Sequence, residues 1–139
     1  MGTRKIKRIK RTLRIACDDL AYIGEDGEEC HPREGQWIDI RKKTSGQDYA
    51  TILQLIELYG QEDKDADDLK VMAEMVASLP DIYELLAHKI VAWNWTDLWD
   101  DDQAPLPDPT VEVMATIDFE TDLMHLVSLI METEETPKN

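Results

Sequence analysis

The sequence predicts an α+β protein, with a small N-terminal antiparallel β-sheet of two to three strands followed by a mainly α-helical body of about four to five helices. Short runs of alternating or β-branched residues, punctuated by Asp and Gly, occupy the first 43 positions. Apolar stripes at helical spacing fill most of the remaining chain. The chain has 139 residues, 42% of them hydrophobic and 32% charged, which suits one compact domain with a strongly solvated surface.

Lys5 to Ile15 alternates basic with apolar positions (Ile6, Ile9, Leu13, Ile15), and a strand is predicted from Thr12. Asp18-Asp19 and Gly24-Glu25-Asp26-Gly27 are turn chemistry and enclose a second strand, Leu20 to Ile23. Trp37, Ile38 and Ile40 before Arg41-Lys42-Lys43 give a third strand over 36–42. Ser45, with Asp48 three positions on, caps the first helix. Its stripe is Tyr49, Ile52, Leu53, Ile56 and Tyr59, widened by Leu55 and Leu58, and Gly60 is its stop.

The acidic stretch 61–68 reads as a solvated loop that opens the next helix. Leu69, Met72, Val76 and Leu79 form a second stripe, softened by Met75. Pro80 interrupts it, and Ser78 is placed to cap a new start. The third stripe, Ile82, Leu85, Leu86, Ile90 and Trp93, puts Trp93 at a helix end, closed by Asn94 in the left-handed conformation. Asp108-Pro109 is a cap and first-turn pair for a short helix through Val111 and Met114. The last stripe, Leu123, Leu126, Val127 and Ile130, spans 119–132, and 133–139 reads as a frayed tail. The organisation is thus a basic arm and sheet (1–43), a helical body (44–132) with a Trp/Pro-rich junction at 93–109, and the tail.

The charge is divided. The formal net charge is −15, yet residues 1–14 hold seven of the fifteen basic residues and no acid. Residues 15–139 set eight basic residues against thirty acidic ones, a net charge of −22. The acidic body repels nucleic acid and favours solubility. The basic arm, Arg4, Lys5, Lys7, Arg8, Lys10, Arg11 and Arg14, suits an acidic protein surface or a lysine-protected strand edge. Phosphate binding is the competing use, but the arm has no interleaved aromatics for base stacking and is tethered to an anionic body.

No apolar run is long enough to cross a bilayer, and the basic N-terminus lacks the apolar region of a signal peptide, so a cytoplasmic protein is expected. Cys17 and Cys30 are then expected to stay thiols. With His31 they are too few for a zinc site. Asp97, Asp100, Asp101 and Asp102 lack the alternating acids, central Gly and terminal Glu of a calcium loop. His31, His88 and His125 share no ligand spacing. No phosphate loop or nucleophile–base motif is present, so neither catalysis nor a cofactor is expected.

Trp93, Trp95 and Trp99 fall within seven residues. Each indole removes roughly 150–250 Å² from water while its N–H still needs an acceptor, which suits a locked junction. The anchors are Trp93-Asn94-Trp95-Thr96-Asp97 with Pro105 and Pro107. A helix running into W-N-W-T-D, then P-L-P-x-P at 105–109, another helix and a charged tail ending in Lys138-Asn139 resembles the small tail assembly chaperones of long-tailed bacteriophages, over roughly residues 36–139. Where a short Gly-containing turn would be expected after Asp97, this chain has Leu98-Trp99-Asp100-Asp101-Asp102-Gln103-Ala104.

The resemblance implies a non-catalytic factor that binds the tape measure protein, prevents its aggregation and helps tail tube protein subunits polymerise around it. Such a factor acts in the host cell cytoplasm and is absent from the mature virion. Ile52, Leu55, Ile56, Tyr59, Met72, Met75 and Val76 are the client-facing candidates, because soft apolar residues suit a variable partner helix. Binding of several copies along one client, with self-association, would add weak contacts into retention. The competing readings are a structural tail component and a nucleic-acid-associated regulator using the basic arm.

Overall fold

The computed structural model describes residues 9–59 and 68–135. Arg4, Lys5, Lys7, Arg8, the Gly60 stop, the acidic stretch 61–67, positions 136–139 and the Tyr59 side chain lie outside the described residues. In chain order, β1 (Thr12–Ala16) precedes β2 (Tyr22–Ile23), β3 (Glu29–Cys30) and β4 (Trp37–Arg41). Helices α1 (Gly46–Tyr59), α2 (Asp68–Ala77) and α3 (Leu79–Lys89) lead into β5 (Ile90–Trp93). A one-turn α4 (Val111–Met114), a π-helical turn (Phe119–Leu123) and α5 (Met124–Glu135) complete the described chain. The fold is α+β, with a three-stranded antiparallel sheet and helices packed on it.

The sheet order is β1-β4-β5. Two of its strands fall where the alternation predicts them, but the third does not. The segment expected as the second strand pairs with β3 in its own two-residue hairpin. Its turn closes when Gly24 N–H donates to the Glu28 carbonyl and Glu28 N–H to the Asp26 carboxylate, with Gly27 at φ +80°. The third place is taken by Ile90–Trp93, the expected end of the third helix. Branched Ile90 and Val91 with Trp93 fit a pleated surface, and the open edge of β4 offers each a ladder partner. The register runs Ile38↔Trp93, Asp39↔Ala92 and Ile40↔Ile90, so Val91 is the extra residue of a bulge. The sheet is therefore completed by residues of the segment expected as helical body.

Asn94 does not close a helix in the left-handed region; Gln103 is the non-glycine residue with positive φ among the described residues. Instead Asn94 extends the ladder: its Oδ1 accepts from Trp37 N–H at 2.7 Å and its own N–H donates to the Trp37 carbonyl. Ser78 stands between α2 and α3 with right-handed helical backbone angles and makes no side-chain cap; its hydroxyl donates to the Glu74 carbonyl and accepts from Gln54. Pro80 sits in the first turn of α3, where no amide is required. Thr110, not Asp108, caps α4, accepting from Val113 N–H, and Pro109 is buried ahead of the helix. Ser45 caps α1 as expected, taking the Asp48 N–H at 3.1 Å.

One sheet face and the helices share the core. Ile38 and Ile40 point inward from β4, meeting Ile52 and Leu55 of α1, Ile82, Leu85 and Leu86 of α3, and Leu126, Val127 and Ile130 of α5. On the opposite face Arg14 crosses to its register partner Asp39 (2.8 and 3.1 Å) and stacks over Trp37. The hydrogen bond to Arg14 holds the Asp39 carboxyl below its ordinary pKa. Residues 133–135 are not frayed. Lys89, 1% exposed on the apolar side of α3, needs a carboxylate, and Glu134 supplies it at 3.2 Å. Thr44 joins both, accepting from Lys89 Nζ at 2.8 Å and donating to Glu134 at 2.9 Å.

Candidate functional site: a tryptophan clamp and an exposed helix face

The junction is organised around Arg33, which lies in the turn between β3 and β4 and is 0% exposed. Its guanidinium lies 3.7 Å above the ring of Trp95, itself fully buried. Nε donates to Tyr22 Oη (3.0 Å), Nη1 to Gln36 Oε1 (2.8 Å) and the Thr96 carbonyl (3.0 Å), and Nη2 to Asp122 Oδ1 (2.9 Å). Four of the donors of the fork are thereby used. Asp122 comes from the π-helical turn and also accepts from Tyr22 Oη at 2.6 Å and Trp99 Nε1 at 3.2 Å. A buried ion pair is tolerated when its remaining valences are satisfied in this way.

Burial, reinforced by the hydrogen bond to Asp122, raises the Tyr22 phenol well above an ordinary tyrosine. A raised acid pKa in the folded state leaves stability intact below about pH 10, the unfolded value, and erodes it above, where the unfolded chain releases a proton that the folded chain retains. Alkaline titration followed by tyrosinate absorbance should therefore show a late-ionising group in the wild type that is missing from Tyr22→Phe.

The anchor residues meet here. Trp93 stacks on Trp95 at 5.4 Å with planes 9° apart, and its Nε1 donates to the Pro107 carbonyl at 2.8 Å. Leu106 N–H donates to the Trp95 carbonyl, Thr96 bridges to Pro105, and Asp97 N–H reaches the Ala104 carbonyl. The W-N-W-T-D and P-L-P segments thus run as a short paired ribbon. Trp95 Nε1 donates to Cys17 Sγ at 3.4 Å, and burial pushes the Cys17 thiol pKa up. Trp99 differs from its neighbours: its N–H is satisfied, but the side chain is 64% exposed.

The client-facing candidates divide. Ile52 and Leu55 are 1% exposed and Met75 is 6% exposed, so these three belong to the core. The periodicity that identifies a helix marks its inward face, which is why the centre of the stripe is unavailable to a partner. Ile56 is half-buried. Met72 and Val76, one turn apart on α2, are exposed, as are Tyr49 and Leu53 on α1. Alpha2 is thus held by Met75, with Val71 half-buried, and presents an apolar outer stripe.

Of the basic arm, Arg14 is a sheet residue tied to Asp39 rather than a free cation, while Lys10 and Arg11 are exposed beside β1. Nothing in the sequence marks Arg33, because a Pro-Arg-Glu-Gly turn has no period from which burial can be read. Asp122 and Lys89 did leave a trace: each sits one turn from stripe residues, at positions where an apolar side chain is the rule. Among the described residues no helix is long and apolar enough to cross a membrane, and no three His, Cys, Asp or Glu are grouped to hold a metal. No family model, curated protein or solved structure matches the chain.

Proposed function

We propose that this chain is a non-catalytic tail assembly chaperone of a long-tailed bacteriophage. It binds the tape measure protein, keeps it from aggregating and promotes assembly of the tail tube protein around it. The observation that carries the reading beyond the W-N-W-T-D and P-L-P-x-P resemblance is the outer face of α2. Met72 and Val76 are 49% and 50% exposed on a helix whose buried anchor is Met75. Exposed methionine and valine at i and i+4 form a deformable strip suited to an apolar client helix. The net charge of −15 keeps a loaded complex soluble by mutual repulsion. The protein works in the host cytoplasm and leaves before the virion matures.

Co-expression with the tape measure protein tests this reading. Wild-type chain should raise the soluble tape measure fraction severalfold, and Met72→Asp/Val76→Asp should abolish that gain. The same double substitution should change folding stability by about 1 kcal/mol or less, because both residues lie on the outer face of the helix. If the tape measure is equally soluble without the chain, the reading fails. Mass spectrometry of purified virions separates it from a structural tail component, which would persist in the particle.

A further inference from the structure

The strand register gives the molecule two chemically opposite ends. At the end where Thr12 pairs with Arg41, a groove of about 950 Å³ has Ile9 and Val91 among its apolar lining residues and is flanked by Lys10, Arg11, Arg41, Lys42 and Lys43. None of these five cations is ion-paired among the described residues, whereas Arg14, Arg33 and Lys89 are. The bulge residue Val91 is 38% exposed and Ile9 84% exposed. Among the described residues, a protein of net charge −15 thus gathers most of its exposed positive charge at one place and backs it with apolar surface.

Beta5 runs away from this groove, from Ile90 toward Trp93, and the chain continues past Trp95 into the loop 97–104 at the other end. That loop carries exposed Asp100, Asp101 and Asp102 beside Trp99. It is pre-shaped: Asp97 N–H closes on the Ala104 carbonyl, Trp99 N–H on Asp97 Oδ1, and the indole N–H on Asp122. An indole whose N–H is already satisfied offers a partner its apolar rings at little ordering cost.

We infer that the basic groove of one copy takes the acidic tryptophan loop of a second copy, giving head-to-tail self-association. Carboxylates meet unpaired lysines and arginines, and Trp99 covers Ile9 and Val91. Phosphate alone would leave that apolar surface unused, and the groove has no aromatic side chain for base stacking. Repulsion between two chains of net charge −15 is screened beyond about 8 Å at physiological salt, so the local pairing decides. The interface is heterologous, and each added copy presents a fresh groove and a fresh loop. The inference stands whether or not the client reading does.

Sedimentation equilibrium of the full chain at physiological salt tests it. Wild type should grow with concentration past the dimer. Lys42→Glu/Lys43→Glu, which spoils the groove, and Trp99→Ala/Asp101→Asn/Asp102→Asn, which spoils the loop, should each weaken association roughly tenfold or more. An equimolar mixture of the two variants retains one good groove and one good loop, so it should form a dimer and stop there. A wild type monomeric at every concentration, or variants that associate as it does, would overturn the inference. So would a groove variant that loses retention on duplex DNA while sedimenting like the wild type.

Discussion

Asp122→Ala is expected to destabilise the fold by about 3–5 kcal/mol, the cost of stranding a buried charge. The substitution removes the carboxylate that accepts from Arg33, Tyr22 and Trp99 at once, and leaves a guanidinium with no anion at a site 0% exposed. A domain of this size has only about 5–15 kcal/mol in hand, so the variant should be near its unfolding midpoint in mild urea. Equilibrium urea unfolding followed by circular dichroism measures the loss. The double replacement Arg33→Met/Asp122→Leu should be less damaging than Asp122→Ala, because it strands no charge and leaves only neutral groups, Tyr22 Oη, the Thr96 carbonyl and Trp99 Nε1, without these partners. Equal losses would mean that Arg33 finds another anion or water when Asp122 is gone.

Trp95→Ala should lose a comparable amount, about 3–5 kcal/mol, through the cavity left behind. The indole is fully buried, sandwiched between Trp93 and the Arg33 guanidinium, with its N–H on Cys17. Trp99→Ala, four residues on, should cost about 1 kcal/mol, chiefly its hydrogen bond to Asp122. The same urea series separates the two, and similar losses for both would contradict the burial difference. Iodide quenching of fluorescence offers an independent check, since Trp95→Ala should remove shielded emission and Trp99→Ala accessible emission.

These two variants also mark how much was readable from residues alone. Apolar period placed α1, α2, α3 and α5, and alternation placed β1 and β4, because both patterns report which side of an element is dry. Period could not say that Ile90 to Trp93 leaves the helix, since the stripe through Ile82, Leu86, Ile90 and Trp93 is unbroken; pairing with β4 decides it, and that partner lies some fifty residues upstream. The cluster of tryptophans announced a junction, but not which indole would be wet. Arg33 gave no sign, being in a turn. Asp122 and Lys89 stood in plain view as charges interrupting greasy stripes, and their counterions, Arg33 and Glu134, were the parts hidden by distance along the chain.

The central sheet places β4 between a strand that precedes it and one that comes some fifty residues later. During translation, β1 and β4 can therefore zip together early, but one flank of β4 stays raw until Trp93 has left the exit tunnel. Ile38 and Ile40 share their core with α1, α3 and α5, so their cover is complete only when the last of these helices has emerged later still. A nascent chain arrested before residue 90 would display an unpaired strand edge of its own, and so would be a candidate for quality control.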